Sequence, residues 1–300
     1  MASFQAHAIN LVIRWRIKRR LNRLADASGA RAVFNAGPIM PAPRRLDVGP
    51  DTVGGVPGER VALPGAEAGP TLMYLHGGGY LACSPQTHRP ITTAFARHGF
   101  RVFAPDYRLA PEHRFPAALD DAVSAYRGLL AAGTPPQRLV IAGDSAGGGL
   151  ALAAMLALRD AGAPLPAAAA LFSPWTDLAA TGATLKTNDR LDAMFSGAGV
   201  GEIARAYLGD AGARTPLASP LYADLRGLPP LLVHVGEREV LRDDSTRLAE
   251  RARAAGVDVE LTIWPVVPHC WQLFHLVMPE GRRSLAIAAD FLHRRCGAGG

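Results

Sequence analysis

The chain has 300 residues, of which 49% are hydrophobic and 19% charged, which is typical of a globular protein rather than a disordered or fibrous one. A chain of this length buries enough surface for one large domain. The net charge of +6 is spread among interleaved acidic residues, and the basic cluster Arg14 to Arg23 lacks the aromatic platform of a nucleic-acid-binding protein. We therefore expect no nucleic-acid partner.

The cysteine content and the apolar runs bear on location. Cys83, Cys270 and Cys296 form no spaced pairs, which favours a reducing cytoplasm over a disulfide framework. The first residues do not have the order of charged and apolar segments seen in a secretory signal. No window of 18 apolar residues occurs, so no membrane insertion is expected. The roles of Cys83 and Cys270 stay open at this stage.

The N-terminal region has apolar residues at helical spacing. They alternate with a basic face and predict an amphipathic helix from Ile9 to Leu24. Such a helix either lies on a membrane surface or covers an apolar pocket of its own protein. We favour the covering role, on grounds given below. The apolar residues are Ile9, Ile13, Ile17, Leu21 and Leu24.

The middle of the chain changes its pattern at Thr71. Residues 38–69 alternate and are rich in Pro and Gly, which predicts antiparallel edge strands. From Thr71 onward, fully apolar runs alternate with helical segments, which predicts a mostly parallel sheet covered by helices on both faces. The alternation stops between 176 and 215, where we expect an inserted helical segment, and then resumes.

A short strand, a sharp turn and a long helix meet at Ser145. The sequence Gly143-Asp144-Ser145-Ala146-Gly147 has small residues on both sides of the serine, as a tight strand-to-helix turn requires. Such a turn projects the hydroxyl beyond the sheet, with a helix N-terminus behind it that favours negative charge. A plain helix N-cap is the alternative explanation of the serine.

A second motif makes the catalytic interpretation much stronger. His76-Gly77-Gly78-Gly79 follows the apolar run from Thr71 to Leu75, and loops of this type supply backbone N–H groups to an oxyanion hole. Gly78 and Gly79 have no side chain to obstruct their N–H groups, and Ala146 follows the nucleophile. We predict these three residues as the oxyanion donors.

A serine nucleophile needs a general base, and four histidines follow Ser145. His234 lies inside an apolar strand, His293 inside the last helix, and His275 in a helical turn. His269 alone falls in a loop after a strand, at the edge where ligands bind. We predict His269 as the base.

The acid that orients the base is expected between the serine and the histidine in chain order. We therefore look for it in the loop after the apolar strand from Leu231 to Val235. Four carboxylates are available there. Asp243 and Asp244 resemble first-turn residues of the next helix, which have a structural explanation. Of the four, which are Glu237, Glu239, Asp243 and Asp244, Glu239 lies in the loop before that helix and is favoured over Asp243 and Asp244. The predicted triad is Ser145, Glu239 and His269.

The chain contains four motifs: HGGGY, DYRLAPEHRFPAALDDA from Asp106 to Ala122, GDSAGG, and a late G-x-x-[DE]-x-L-x-D-D. Together they resemble the bacterial hormone-sensitive-lipase family of α/β-hydrolase esterases, and the similarity runs from about Pro70 to Phe291. The resemblance implies a serine carboxylesterase of the α/β-hydrolase fold that acts on short- to medium-chain acyl esters without a cofactor or metal. Glu239 stands where the family usually has Asp.

The resemblance also implies a domain arrangement. The family builds its cap from the N-terminal segment and an insertion, which here correspond to residues 1–45 and 176–215. The catalytic domain then comprises residues 46–175 and 216–300. The 106–122 motif is expected to brace the loops beneath the site. The partner is a small-molecule ester or, as an alternative, a lactone, and a homodimer is compatible with the sequence.

Two rival functions come from other classes. Gly77-x-Gly79-x-x-Ala82 loosely imitates a dinucleotide-binding motif, but no helix starts at these glycines and GDSAGG is left unexplained. A non-catalytic ligand-binding homologue is the other rival, but such proteins typically lose the serine or the histidine. No motif with metal-ligand spacing occurs.

Overall fold

A computed structural model describes residues 2–21, 27–36 and 39–297. One sheet of eight strands forms the centre, and the strands lie in chain order except that the fourth is placed between the second and the third. The strands are β1 (Asp47–Val53), β2 (Val56–Ala62), β3 (Thr71–Leu75), β4 (Arg101–Pro105), β5 (Leu139–Asp144), β6 (Ala169–Phe172), β7 (Leu231–Gly236) and β8 (Val259–Trp264).

The sheet is mostly parallel, which confirms the predicted fold class. The hairpin of β1 and β2 is antiparallel and joins the edge of β4, whereas every pair from β4 through β3 to β8 is parallel. The parallel strands are buried along almost their whole length except β8, whose residues 260–263 are partly exposed. That exposure follows from the position of β8 at the end of the sheet.

Helices cover both faces of the sheet, because alternate residues of each central strand point to opposite sides. Met73 and Leu75 pack in one core layer with α5, α6 and α9, and Leu72 and Tyr74 pack in the other with α4 and α10. These helices are α4 (Arg89–Arg97), α5 (Ala117–Ala131), α6 (Ala146–Asp160), α9 (Arg242–Ala254) and α10 (Pro279–Arg295).

The turn from β5 into α6 brings the strand and the helix into very close contact. A Cβ atom added to Gly147 would lie 2.1 Å from the carbonyl oxygen of Leu75, and one added to Gly143 would lie 2.4 Å from that of Gly147. Only glycine permits this approach of helix and strand. The predicted demand for small residues on both sides of Ser145 therefore has a direct steric cause.

The N-terminal region is helical but begins earlier than the apolar spacing predicted. α1 (Phe4–Ile13) continues through a π-helical stretch, Arg14–Lys18, into α2 (Arg19–Leu21), and α3 (Ala27–Asn35) follows. Ala6 and Ile13 are buried, whereas Leu11 is 68% exposed. The predicted apolar residue Leu24 lies outside the described residues.

The insertion has the helical character predicted for it. It contains α7 (Thr184–Thr187) and α8 (Gly197–Leu208), with no strand between β6 and β7. In the described part of the chain, no helix combines the length and apolar composition needed to cross a bilayer.

Candidate active site

The three predicted triad residues lie at one edge of the sheet. Ser145 directly follows β5, Glu239 lies in the loop after β7, and His269 lies in the loop after β8. Because these strands are parallel, their carboxyl ends are adjacent, and the loops that leave them converge. The fold thus brings together residues that are 30 to 124 positions apart in the chain.

Ser145 has a backbone conformation that L-residues rarely adopt. Its φ is 52° and its ψ is −121°, and α6 begins at the next residue. Positive φ at a non-glycine residue costs free energy and clusters at functional sites. The Ser145 side chain makes no capping hydrogen bond to α6, so it does not serve as an ordinary helix N-cap.

His269 and Glu239 form a buried pair. The Nδ1 atom of His269 lies 2.6 Å from Oε2 of Glu239, and their side chains are 3% and 1% exposed. The other carboxylate oxygen, Oε1, accepts hydrogen bonds from the Ser173 hydroxyl at 2.7 Å and the Gly236 N–H at 2.6 Å. These three partners fix the orientation of the carboxylate and, through it, the orientation of the imidazole.

The pair also sets the protonation behaviour of His269. Burial acts to lower the pKa of His269, but the Glu239 carboxylate raises it through its charge and its hydrogen bond. The net result is a pKa above the ordinary histidine value. An imidazole held in this way is a stronger base and carries a proton more readily when it receives one.

The second imidazole nitrogen, Nε2, is not engaged in a hydrogen bond within the described part of the chain. His269 Nε2 is buried and has no hydrogen-bond partner among the described residues, and both His269 and Ser145 line the same cavity. The ring of Phe195 meets the imidazole edge-on with centroids 5.0 Å apart. An imidazole nitrogen without a partner can accept the proton of a hydroxyl group that lies next to it.

The other candidate histidines are occupied elsewhere. His234 Nδ1 lies 2.9 Å from the Ser284 hydroxyl, and burial lowers the pKa of His234 to about 3. His293 Nε2 is 2.7 Å from the His98 carbonyl oxygen. Burial also lowers the pKa of His275. The structure brings none of them to the Glu239 carboxylate.

The alternative carboxylates have structural partners. Asp243 accepts a hydrogen bond from the Thr184 N–H at 3.0 Å, and Asp244 accepts from Thr176 and Asp177 at 2.7 and 2.8 Å. These hydrogen bonds act to lower the pKa of Asp244, but burial outweighs them and raises it to about 7. Both residues thus join α9 to the segment after β6, and Glu237 is exposed.

The glycine-rich loop lies beside Ser145. Gly78 and Gly79 have φ values of 110° and 65°, and both line the cavity. The Tyr107 hydroxyl donates to the His76 carbonyl at 2.6 Å, and the two rings stack 4.2 Å apart. Tyr107 belongs to the 106–122 motif, and its contacts brace the glycine loop from below.

Asp144 provides a second anchor for this loop that the sequence analysis missed. Its Oδ1 accepts from the Gly77 N–H at 3.0 Å and from the Tyr74 hydroxyl at 2.6 Å, and its Oδ2 lies 3.3 Å from His88 Nε2. Burial disfavours the charged carboxylate, but His88, Tyr74 and Cys270 hold the pKa of Asp144 below its ordinary value. The residue before the nucleophile thus fixes the glycine loop.

The cavity in front of Ser145 has a volume of about 590 Å³. Its wall is mostly aliphatic and aromatic, and Cys83 and Cys270 also contribute to it. Burial raises the pKa of the Cys83 thiol to about 12 and that of Cys270 well above its ordinary value, so neither is a reactive thiolate. Apolar wall residues include Val12, Ile13, Ile17, Val33, Phe34, Met194, Phe195, Val200, Ile203, Leu241, Leu273 and Phe274.

Within the described ranges, no group of three or more His, Cys, Asp or Glu side chains is arranged to hold a metal ion. The polar groups at the site are instead those of the serine, the imidazole, the carboxylates and the backbone.

Comparison with known proteins identifies the family. A family model described as alpha/beta hydrolase fold matches residues 72–273. An acetyl-hydrolase of Streptomyces hygroscopicus is 49% identical over 237 residues, which cover 79% of each protein. An esterase of Acinetobacter venetianus is 36% identical over 255 residues, which cover 84% of each.

Solved structures agree with these relatives. A mutant of the esterase E40 is 44% identical, with a TM-score of 0.92 over 99% of this chain and 100% of that one. An esterase from the bacterial hormone-sensitive lipase family is 43% identical, with a TM-score of 0.90 over the same shares. The chain therefore belongs to the α/β-hydrolase fold family, among the bacterial hormone-sensitive-lipase esterases, and is a serine ester hydrolase.

Proposed function

We propose that Ser145, His269 and Glu239 form the catalytic triad of a carboxylesterase that hydrolyses short- to medium-chain acyl esters. The observation that carries the proposal is the buried pair of His269 and Glu239, 2.6 Å apart, in which Nε2 of His269 has no hydrogen-bond partner among the described residues and His269 lines the same cavity as Ser145. A serine hydroxyl becomes an effective nucleophile when an oriented base accepts its proton.

The reaction follows from these positions. The Ser145 oxygen attacks the ester carbonyl carbon while His269 Nε2 takes the hydroxyl proton, and Glu239 stabilises the resulting imidazolium. Collapse of the tetrahedral intermediate breaks the bond to the leaving alkoxide, which receives the proton from His269. Water then attacks the acyl-enzyme with His269 again as base, which releases the acid and restores Ser145.

The oxyanion donors in this proposal are the N–H groups of Gly78, Gly79 and Ala146. Gly78 and Gly79 line the cavity, and Ala146 is the first residue of α6, whose N-terminus favours negative charge. Donors held in place before the reaction stabilise the oxyanion without reorganisation. Asp144 and Tyr107 supply that rigidity by holding the backbone of His76 and Gly77.

The division of the chain in this proposal is a catalytic domain of residues 46–175 and 216–300, under a cap of residues 1–45 and 176–215. The inner side of the N-terminal helix supports it, since Ile13 is 3% exposed and packs with Ala193 and Met194 of the insertion. These residues, except Ala193, line the cavity. The cap thus forms an apolar wall for the acyl chain.

The insertion also braces the loop of the acid. The Asn188 amide donates to the Glu239 carbonyl at 2.8 Å, and Asp192 accepts from the Val240 N–H at 2.8 Å. Loss of cap packing would therefore disturb both the acyl pocket and the position of Glu239.

The first prediction concerns the nucleophile. Ser145→Ala should lower kcat on p-nitrophenyl butyrate by at least about a thousandfold, because no other group can form the acyl-enzyme. The melting temperature should stay close to that of the wild type, since the change removes one oxygen and no core packing. Residual activity above about a hundredth of wild type would contradict the assignment.

The second prediction concerns the acid. Glu239→Gln should lower kcat by about 10²- to 10⁴-fold, because the neutral amide no longer stabilises the imidazolium. The base must be neutral to act, so activity falls at pH values below the pKa of His269. Removal of the carboxylate leaves burial as the dominant effect on the pKa of His269, so this pKa should fall. The acidic limb of the pH profile of kcat/KM should therefore move to lower pH.

Glu237→Gln is the matched control for this variant, since Glu237 lies in the same loop but is exposed. It should leave both kcat and the acidic limb unchanged. If Asp243→Asn or Asp244→Asn abolished activity while Glu239→Gln retained it, the proposed acid would be wrong.

The third prediction concerns the cap. Removal of residues 1–21 should lower kcat/KM for an octanoyl ester by about tenfold more than for an acetyl ester, because the long chain loses apolar contacts. The truncated protein should also melt at a lower temperature. Leu11→Ser is the control, since Leu11 lies on the exposed side of the helix. An unchanged ratio between the two esters would refute the acyl-binding role of the helix.

A further inference from the structure

The outer side of the N-terminal helix carries large apolar side chains exposed to solvent. Phe4, Leu11 and Trp15 are 82%, 68% and 62% exposed. Their spacing of seven and four residues places them along one side of a helix. We call these three residues the outer stripe. Exposed apolar groups that line up in this way mark interaction sites more often than scattered single residues do.

Contacts on the inner side fix the helix so that the outer stripe faces outward. The Asn10 amide donates to the Val266 carbonyl at 3.1 Å, and the exposed Arg14 guanidinium, at the border of the outer stripe, donates to the Arg190 carbonyl at 2.9 Å. The Ser3 hydroxyl donates to Glu280 at 2.8 Å. Rotation of the helix to bury the outer stripe would break these bonds.

The same segment is strongly basic. Residues 2–21 contain five Lys or Arg residues and no Asp or Glu. Four of these cations, Arg14, Arg16, Arg19 and Arg20, are exposed, and the Arg16 guanidinium lies 5.8 Å from the centre of the Trp15 ring. Exposed aromatic and aliphatic groups flanked by cations are the composition of helices that lie in a membrane interface.

We propose that the outer stripe docks on the surface of a membrane rich in anionic phospholipid. Trp15, Leu11 and Phe4 enter the boundary between headgroups and acyl chains, while the arginines contact the phosphates. The docking is peripheral, with the helix parallel to the surface. Arg16 and Arg20, on the same helix, also line the catalytic cavity, so docking keeps this wall of the cavity close to the lipid, where apolar esters accumulate.

The positive charge of residues 2–21 favours an anionic membrane over a second copy of the chain as the partner. A symmetric contact would bring the same surface of both copies together, and with it ten cations and no compensating carboxylate from residues 2–21. The like charges of the two copies would repel each other across this contact. An anionic lipid surface satisfies both the cations and the outer stripe.

The position of the tryptophans provides a direct probe. Trp175, Trp264 and Trp271 are 3%, 6% and 0% exposed, whereas Trp15 is 62% exposed. Addition of phosphatidylglycerol vesicles to the full-length protein should shift the fluorescence maximum to shorter wavelength, and brominated acyl chains should quench it. Trp15→Phe should keep vesicle binding but lose the spectral shift.

Co-sedimentation then measures the affinity. Leu11→Ser combined with Trp15→Ser should raise the Kd for phosphatidylglycerol vesicles by at least about tenfold, because the apolar contribution to binding is lost. The activity on a soluble ester should not change, since neither residue lines the catalytic cavity. Ile263→Ser, which alters an apolar residue 44% exposed on the sheet edge, should bind as the wild type does. Salt at about 0.5 M should release the wild-type protein by screening its cations.

Three results would overturn the proposal. One is the absence of vesicle binding at low salt, and another is equal binding to phosphatidylcholine vesicles at high salt. The third is a wild-type dimer in sedimentation velocity that becomes a monomer in the Leu11→Ser, Trp15→Ser variant without any vesicle binding, which would assign the outer stripe to a second copy.

Discussion

The close approach of α6 to β3 at Ser145 is the constraint on which the site depends. The backbone of Gly147 is so near the Leu75 carbonyl that a methyl group at position 147 would overlap it, at 2.1 Å. This contact joins the turn of the nucleophile to the start of the glycine loop. The serine and the loop that lies beside it are therefore positioned by one steric interlock rather than by two independent segments.

Two buried carboxylates reinforce this interlock in different ways. Asp144 holds Gly77 and Tyr74 beneath the loop, and Glu239 holds His269 in front of the serine. A buried carboxylate is costly unless its oxygens are occupied, and each has at least three hydrogen-bonding partners. The proposed catalytic geometry thus rests on polar groups that are rigid because they are buried and satisfied.

Much of this arrangement could be predicted from the sequence because it follows from chain order. Apolar strands separated by helices imply a parallel sheet, and the loops after such strands meet at one edge. That rule was enough to bring Ser145, Glu239 and His269 together, although their catalytic roles stay predictions. The same rule applies to Ser173, which directly follows β6 and donates to Glu239, but its short polar side chain gave no separate signal.

Other features depend on packing that local sequence does not report. Helical spacing at Ile9, Ile13 and Ile17 predicted one apolar side of the N-terminal helix, but Phe4, Leu11 and Trp15 form a second apolar side that is exposed. Periodicity alone does not distinguish the side that faces the protein. The contact between Asp144 and Gly77 was likewise hidden, since it joins residues 67 positions apart.

The central claim is that Ser145 is the nucleophile, activated by His269, and covalent labelling tests it most directly. A fluorophosphonate should add one phosphonyl group per chain and abolish esterase activity in step with the labelling. Peptide mapping should place the adduct on Ser145, and labelling should slow sharply in His269→Ala. An adduct on another residue, or full labelling of Ser145→Ala, would contradict the account.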